Sequence, residues 1–465
     1  MHPTIPTIIP AAISIPRQSG NPTVRQSADP SIRRPNNNVG RKGHHMPRNT
    51  ASKTLAVIAT CLSLVAIPAL TACGTSSAGS GASASSSKRT DFMLGGLFPE
   101  TGSLSYVAPG QMAAFNLAVK DINAAGGVLG NSITSYIADV NDSDHADQNT
   151  AAVQSVLSKK PSVIVGNPSS GVVKNTYHEI EALKVPLISN GATAASLSGI
   201  SDYFFRTVPP DTVQGAVLAD TIVQDGVQNL AIACFNDEAG IGIRDIVAKR
   251  VEAAGVNVVY GQKDTFDPTE KNFGALASSI KATSPDAVLV VAFDQTIPLV
   301  KSLASAGVDT KKLYFFDGNM SDYSKTLDKG FLAGDKGTIP GATATDDFRK
   351  RLKSIDSSLT TYTFSAETYD AVVLAALAAQ EGGSADSETI RKTLPAVSGT
   401  DNGSKCSTYK QCLALIKQGK HIAYRGKASI GAFNKQHDPS SASIGVYTYD
   451  ANNMPQFDHS QQGSV

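Results

Sequence analysis

The chain carries many groups able to do acid–base, nucleophilic or metal chemistry, but their spacing assembles few of them. Beyond residue 87 the histidines are His145, His178, His421, His437 and His459, all scattered. There is no Gly-x-Ser-x-Gly elbow, no His-Glu-x-x-His pair and no phosphate-cradling P-loop. Gly240-Ile241-Gly242 follows a strand-like run but lacks the third glycine of a dinucleotide-binding turn. Asp139, Asp142, Asp144 and Asp147 crowd one stretch and read as a solvated loop and helix start, not a metal cage. Lys159-Lys160 reads as a helix end. These patterns argue against an enzyme and predict neither cofactor nor metal.

The cysteines are more informative. Leu70-Thr71-Ala72-Cys73 closes an apolar run, Leu55 to Leu70, that follows Arg48 and Lys53. A basic start, an apolar middle and small residues before a cut make a secretory signal. The run is about 16 residues and contains Thr60, Ser63 and Pro68, short of the roughly 20 apolar residues of a spanning helix. The pattern resembles the lipobox of bacterial lipoproteins, which implies lipidation of Cys73 and a membrane tether. Gly74 to Ser87 would be an uncharged leash. Met46 would open a signal of ordinary length. Residues 1–45 show no hydrophobic period and read as a disordered or mis-assigned extension. Cys234 sits in an apolar run and reads as a small buried hydrophobe. For Cys406 and Cys412, the exported context favours a local disulfide. Zinc would need more ligands than His421 offers, and a redox pair would be Cys-x-x-Cys.

Elements must position whatever chemistry remains. Removing residues 1–87 leaves about 378, more than one usual core, so two domains are expected. The formal net charge of +1 gives no footing for nucleic acid. Strand-like runs at 91–98, 133–140, 162–165, 185–189, 230–235, 257–260, 287–292 and 312–316 alternate with helix-like segments. In 110–124, for example, Met112, Phe115, Val119 and Ile122 recur on one face. Further helices are expected at 345–354, 365–380 and 387–393, and short strands at 422–424 and 444–449. Such alternation predicts an α/β fold with mostly parallel sheets flanked by helices, and ligands beyond the strand carboxyl ends. Pro209-Pro210 marks a crossing between domains.

Pro99-Glu100-Thr101-Gly102, Gly110, Ala113, Ala118, Asp121-Ile122-Asn123, Gly126-Gly127 and Gly130 resemble the opening of the branched-chain amino-acid-type substrate-binding proteins of ABC importers. These are type I periplasmic binding proteins, and the resemblance spans about 90–450. It implies two hinged lobes, 90–208 with 343–441 and 209–342 with 442–465, after a signal at 46–72 and a linker at 73–89. It also implies a monomeric, lipid-anchored receptor on the outer face of the cell membrane. That receptor captures an amino acid or similar small polar ligand for a permease and its separate ATPase.

By the same resemblance, Ser169 and Ser170 after one strand, and Gly191, Ala192 and Thr193 after the next, receive a ligand carboxylate. Hydroxyls and N–H groups at such turns suit an anion, although Ser169 and Thr193 would serve equally as helix caps. Asp317 matches the acidic position for a ligand ammonium, and Tyr106 and Phe293 match aromatic positions. Ile241 stands where the family's amino-acid binders carry a tyrosine, which removes a polar stacking contact. Relatives also bind amides, urea and aromatic acids. A ligand-sensing receptor subunit is therefore the main alternative, ahead of an exported enzyme.

Overall fold

The computed structural model describes residues 88–341 and 343–464. Cys73, the apolar run before it and residues 1–45 lie outside them.

Two sheets organise these residues. In the first, β1 (Met93–Phe98), β2 (Thr134–Asp139), β3 (Val163–Gly166), β4 (Leu187–Ser189) and β5 (Phe204–Arg206) run parallel in the order β2-β1-β3-β4-β5. In the second, β6 (Asn229–Cys234), β7 (Asn257–Tyr260), β8 (Ala287–Val291), β9 (Leu313–Phe315) and β10 (Lys336–Pro340) form a parallel core. The central strands Val-Ile-Val-Gly and Ala-Val-Leu-Val-Val are buried throughout. Continuous apolar runs are what a sheet covered on both faces requires.

Helices cover them. In chain order these are α1 (Ala108–Ala124), α2 (Ala146–Leu157), α3 (Ser170–Ala182), α4 (Asp211–Gln224), α5 (Glu238–Ala253), α6 (Gly274–Ala282) and α7 (Thr296–Ser305). Then follow α8 (Asp346–Lys353), α9 (Ser365–Gly382), α10 (Ser387–Pro395) and α11 (Tyr409–Lys417). A small ladder, β11 (Ser404–Cys406) with β12 (Ile422–Tyr424), flanks α11. Every residue of α9 from Ser365 to Ala379 is buried. Its alanine-rich surface lets neighbours approach on all sides, and its core cluster includes residues of α1, β1, α8 and α10. The segment after residue 343 thus returns to the first sheet's core. Cys406 and Cys412 are joined, with their Cα atoms 5.3 Å apart.

The chain then enters the second sheet again. β13 (Ser441–Tyr449) pairs antiparallel with β10, and β14 (Pro455–Ser464) pairs antiparallel with β13. The complete order is β14-β13-β10-β9-β8-β6-β7. Two of these strands escaped the sequence reading for physical reasons. β10 is Lys-Gly-Thr-Ile-Pro, whose Gly and Pro read as a loop. β14 is polar along most of its length and lies at the sheet edge, so it carries no apolar run. β5 and α11 also went unread.

Three crossings join the lobes: one between β5 and α4, one between β10 and α8, and one before β13. The carboxyl ends of β3 and β4 in one lobe, and of β6, β8 and β9 in the other, face the space between them.

Candidate functional site

The turn after β3 begins with Gly166, at φ 121°, and Asn167, at φ 61°. Asn tolerates this left-handed conformation better than most side chains. The turn delivers Pro168, Ser169 and Ser170 to the start of α3. Ser169 is the cap: its hydroxyl accepts the Val172 N–H at 3.3 Å. It does not line the cavity between the lobes, because a capping hydroxyl must turn back onto its own helix. Ser170 does line it. Its Oγ accepts the Ala194 N–H at 3.1 Å, and its own O–H remains able to donate.

The turn after β4 is held from behind. Ser189 Oγ accepts the Ala192 N–H at 3.0 Å and donates to the Asn167 carbonyl at 2.9 Å. The buried Arg206 guanidinium donates to the carbonyls of Ala192 and Ala194, each at 3.0 Å, and is paired with Asp438 at 2.5 Å. These bonds turn Ala192 away from the cavity, contrary to the expectation for it, and leave Gly191 and Thr193 on its wall. Gly191 has a packing reason. A Cβ there would lie 2.7 Å from Pro168 Cβ and 2.9 Å from Phe364 Cδ2.

The second lobe supplies the opposite wall. Asp317 follows β9 and lies on the cavity, with Gly318, Phe316 and Phe293. Gln214 Nε2 donates to Asp317 Oδ1 at 2.9 Å and to Thr338. Tyr106, from the first lobe, donates its hydroxyl to the Gly318 carbonyl and closes one side. Ile241 is absent from the wall. α5 meets the cavity through Ala239, and two residues further on a helix has turned about 200° away. Its half-buried side chain therefore cannot substitute for a stacking residue.

Of the residues singled out in the sequence, Ser170, Gly191, Thr193, Asp317, Tyr106 and Phe293 come together around one narrow cavity. Ser169, Ala192 and Ile241 do not. Leu104 and Phe364 complete its apolar wall and were not foreseen. Phe364 precedes α9 at φ 59°, a strained conformation for an aromatic residue.

A second acid was also missed. Asp211, the first residue of α4, is fully buried, and neither carboxylate oxygen has a hydrogen-bond partner of good geometry among the described residues. Burial pushes its pKa up, and the charge of Asp317 pushes it further. The Thr193 hydroxyl and Arg206 partly offset this. Burial likewise raises Asp317, against the Gln214 hydrogen bond. An acid opening a helix after Pro-Pro looks in sequence like any favourable first-turn carboxylate.

The acidic stretch after β2 has local partners. Asp139 binds Thr101, while Asp142 binds His145 and the Ser103 N–H. Among the described residues no group of three or more His, Cys, Asp or Glu could hold a metal ion.

A two-lobed α/β body with hydroxyl donors on one lobe and a buried carboxylate on the other, around one small cavity, is built to enclose a solute. The chain belongs to the periplasmic binding protein family, whose model matches residues 92–411. It is similar to the leucine-, isoleucine-, valine-, threonine- and alanine-binding protein of Pseudomonas aeruginosa. The two are 27% identical over 311 residues, covering 64% of this chain and 80% of that one. Among solved structures it resembles the branched-chain amino-acid transporter substrate-binding protein LivJ of Streptococcus pneumoniae in complex with isoleucine. There the TM-score is 0.66 and the identity 20%, over 81% of this chain and 100% of that one. It also resembles an ABC-transporter solute-binding protein of R. palustris in complex with 4-hydroxybenzoate. That TM-score is 0.65 at 16% identity, over 81% of this chain and 98% of that one. No helix among the described residues is long and apolar enough to cross a membrane.

Proposed function

We propose that this protein captures a small amino acid, or a close amine-bearing analogue, between its lobes and hands it to the permease of an ABC importer. One observation carries the reading. Ser170 and Thr193 stand on one wall of the cavity and Asp317 on the other, with Asp211 buried behind. A zwitterion would set its carboxylate against the Ser170 hydroxyl and the turn after β4, and its ammonium against Asp317. Two buried carboxylates without a cation are costly, and an ammonium offsets that cost. Leu104, Phe293, Phe316 and Phe364 would pack an apolar side chain.

Such a ligand ties the lobes together and draws the hinge closed by binding the closed state better than the open one. An aromatic acid without an amine, like the ligand of the R. palustris protein, would leave Asp211 and Asp317 uncompensated. The chain would act at the outer face of the membrane, held by a lipid on Cys73 and passing its ligand to a permease driven by a separate ATPase.

A thermal-shift screen of amino acids, amides, polyamines and aromatic acids tests the ligand class. Ligand at 100 times its Kd adds about 2.7 kcal/mol of stability. Shifts with amino acids that vanish in Asp317→Asn are expected. Shifts confined to aromatic acids would discard the ammonium reading. Acyl labelling of Cys73→Ser equal to that of the natural chain would discard the anchor.

A further inference from the structure

A second, larger cleft lies behind Phe364. It is open to solvent and is bordered by Gly341, Thr343 and Ala344, the start of α9 and β13. Phe364 lines both this cleft and the interlobe cavity.

The cleft contains an acid and a guanidinium that are not joined among the described residues. Glu367, one turn into α9, is 3% exposed. Its Oε1 is buried and has no hydrogen-bond partner among the described residues. That oxygen rests against Gly341. A Cβ at Gly341 would lie 1.9 Å from it, so only glycine leaves the carboxylate its place. Arg349, on α8, is half-buried and makes no ion pair among the described residues. Its Nε is buried and unpartnered, and its guanidinium sits 5.3 Å from the centre of the Tyr362 ring. On the same cleft the Thr343 and Tyr447 hydroxyls stand 3.0 Å apart. Met454 and Phe457, 39% and 47% exposed, stand at the mouth.

From this arrangement we infer that the cleft is a second small-molecule site, separate from the interlobe cavity, for a compact zwitterion whose ammonium meets Glu367 and whose carboxylate meets Arg349. A buried carboxylate without a donor is costly, and a protonated amine is the group that would satisfy it. Burial holds the Glu367 carboxyl up at about 8, with the nearby Asp370 adding to the shift, which fits an acid waiting for a cation. A planar guanidinium already ordered on an aromatic ring is prepared for a carboxylate. An occupant would touch the crossing strand of one lobe and the central helix of the other.

Calorimetric titration of the whole protein with 4-aminobutyrate tests the assignment. Binding should persist in Asp317→Asn, which removes the acid of the interlobe cavity. It should weaken at least about tenfold in Glu367→Gln and in Arg349→Met, as loss of a charged hydrogen-bond partner predicts. Butylamine and butyrate, each with one charged end, should bind at least about tenfold more weakly than 4-aminobutyrate. Glu367→Gln keeps the side-chain shape and puts a neutral amide where a buried, largely protonated carboxyl stood, so its thermal midpoint should not fall. Arg349→Met, at a half-buried position, gives an independent reading of the other end. Absence of binding in Asp317→Asn, or unchanged affinity in both Glu367→Gln and Arg349→Met, would overturn the second site.

Discussion

Ser143, in the loop after β2, donates its hydroxyl to Asp237 Oδ2 across the lobes at 2.6 Å. Asp237 caps α5 through its other oxygen, which accepts the Ala239 N–H at 2.9 Å. The two lobes are thus linked at the helix that lends Ala239 to the cavity wall. Lys174 and Ser196 of the first lobe reach Glu238 beside it. A bond made only when the lobes meet contributes wholly to the closed state. Ser143→Ala should therefore weaken ligand binding about tenfold, the worth of one hydrogen bond to a charged group. Calorimetric affinity is the readout, and an unchanged Kd would show that closure does not use this bond.

The acid pair has a pH signature. Burial raises both Asp211 and Asp317 above the ordinary carboxylate value of 3.8. In that window the folded, ligand-free chain binds more protons than the unfolded one. Their contribution to stability is therefore complete below the ordinary value and is lost as pH rises toward about 8. Asp211→Asn should flatten that slope by an amount on the order of a few kcal/mol across the window. An amine-bearing ligand favours the ionised acids, so its binding expels protons and its affinity grows with pH over the same range. Calorimetry in two buffers of different ionisation enthalpy reads the proton directly. Binding with no proton release would mean that the pair is already ionised.

Gly191→Ala should abolish ligand-induced thermal shifts and also lower the ligand-free thermal midpoint, because the methyl forces Pro168 or Phe364 to move. The added methyl enters the cavity against Pro168 and Phe364, both part of its wall. Retention of normal shifts would place the ligand away from this turn.

Arg206 acts at one remove from the cavity, holding the Ala192 and Ala194 carbonyls so that Thr193 faces inward. Removing one partner of a buried ion pair costs about 3–5 kcal/mol. Arg206→Met leaves Asp438 buried without its cation, so urea unfolding should show a loss of that size. A loss below about 1 kcal/mol would mean the pair is dispensable.

Much of the fold was legible because its central strands are apolar on both faces and its helices carry periodic apolar stripes. Val163–Gly166, Ala287–Val291 and α1 are examples. Those patterns follow from burial alone, and a sequence displays burial. Gly191 and Asp317 could be picked out because turns after parallel strands carry the family's motif. The same sequence could not tell Ser169 from Ser170. One caps a helix and the other faces the cavity, and neighbours in a chain diverge only when the helix axis is fixed. Nor could it join Asp211 to Asp317, or set Glu367 against Gly341, since those pairs are brought together by the crossings and not by any local period. Local patterns report which residues leave water. Which buried charges then meet depends on how the lobes pack, and that is where the chemistry of this protein lies.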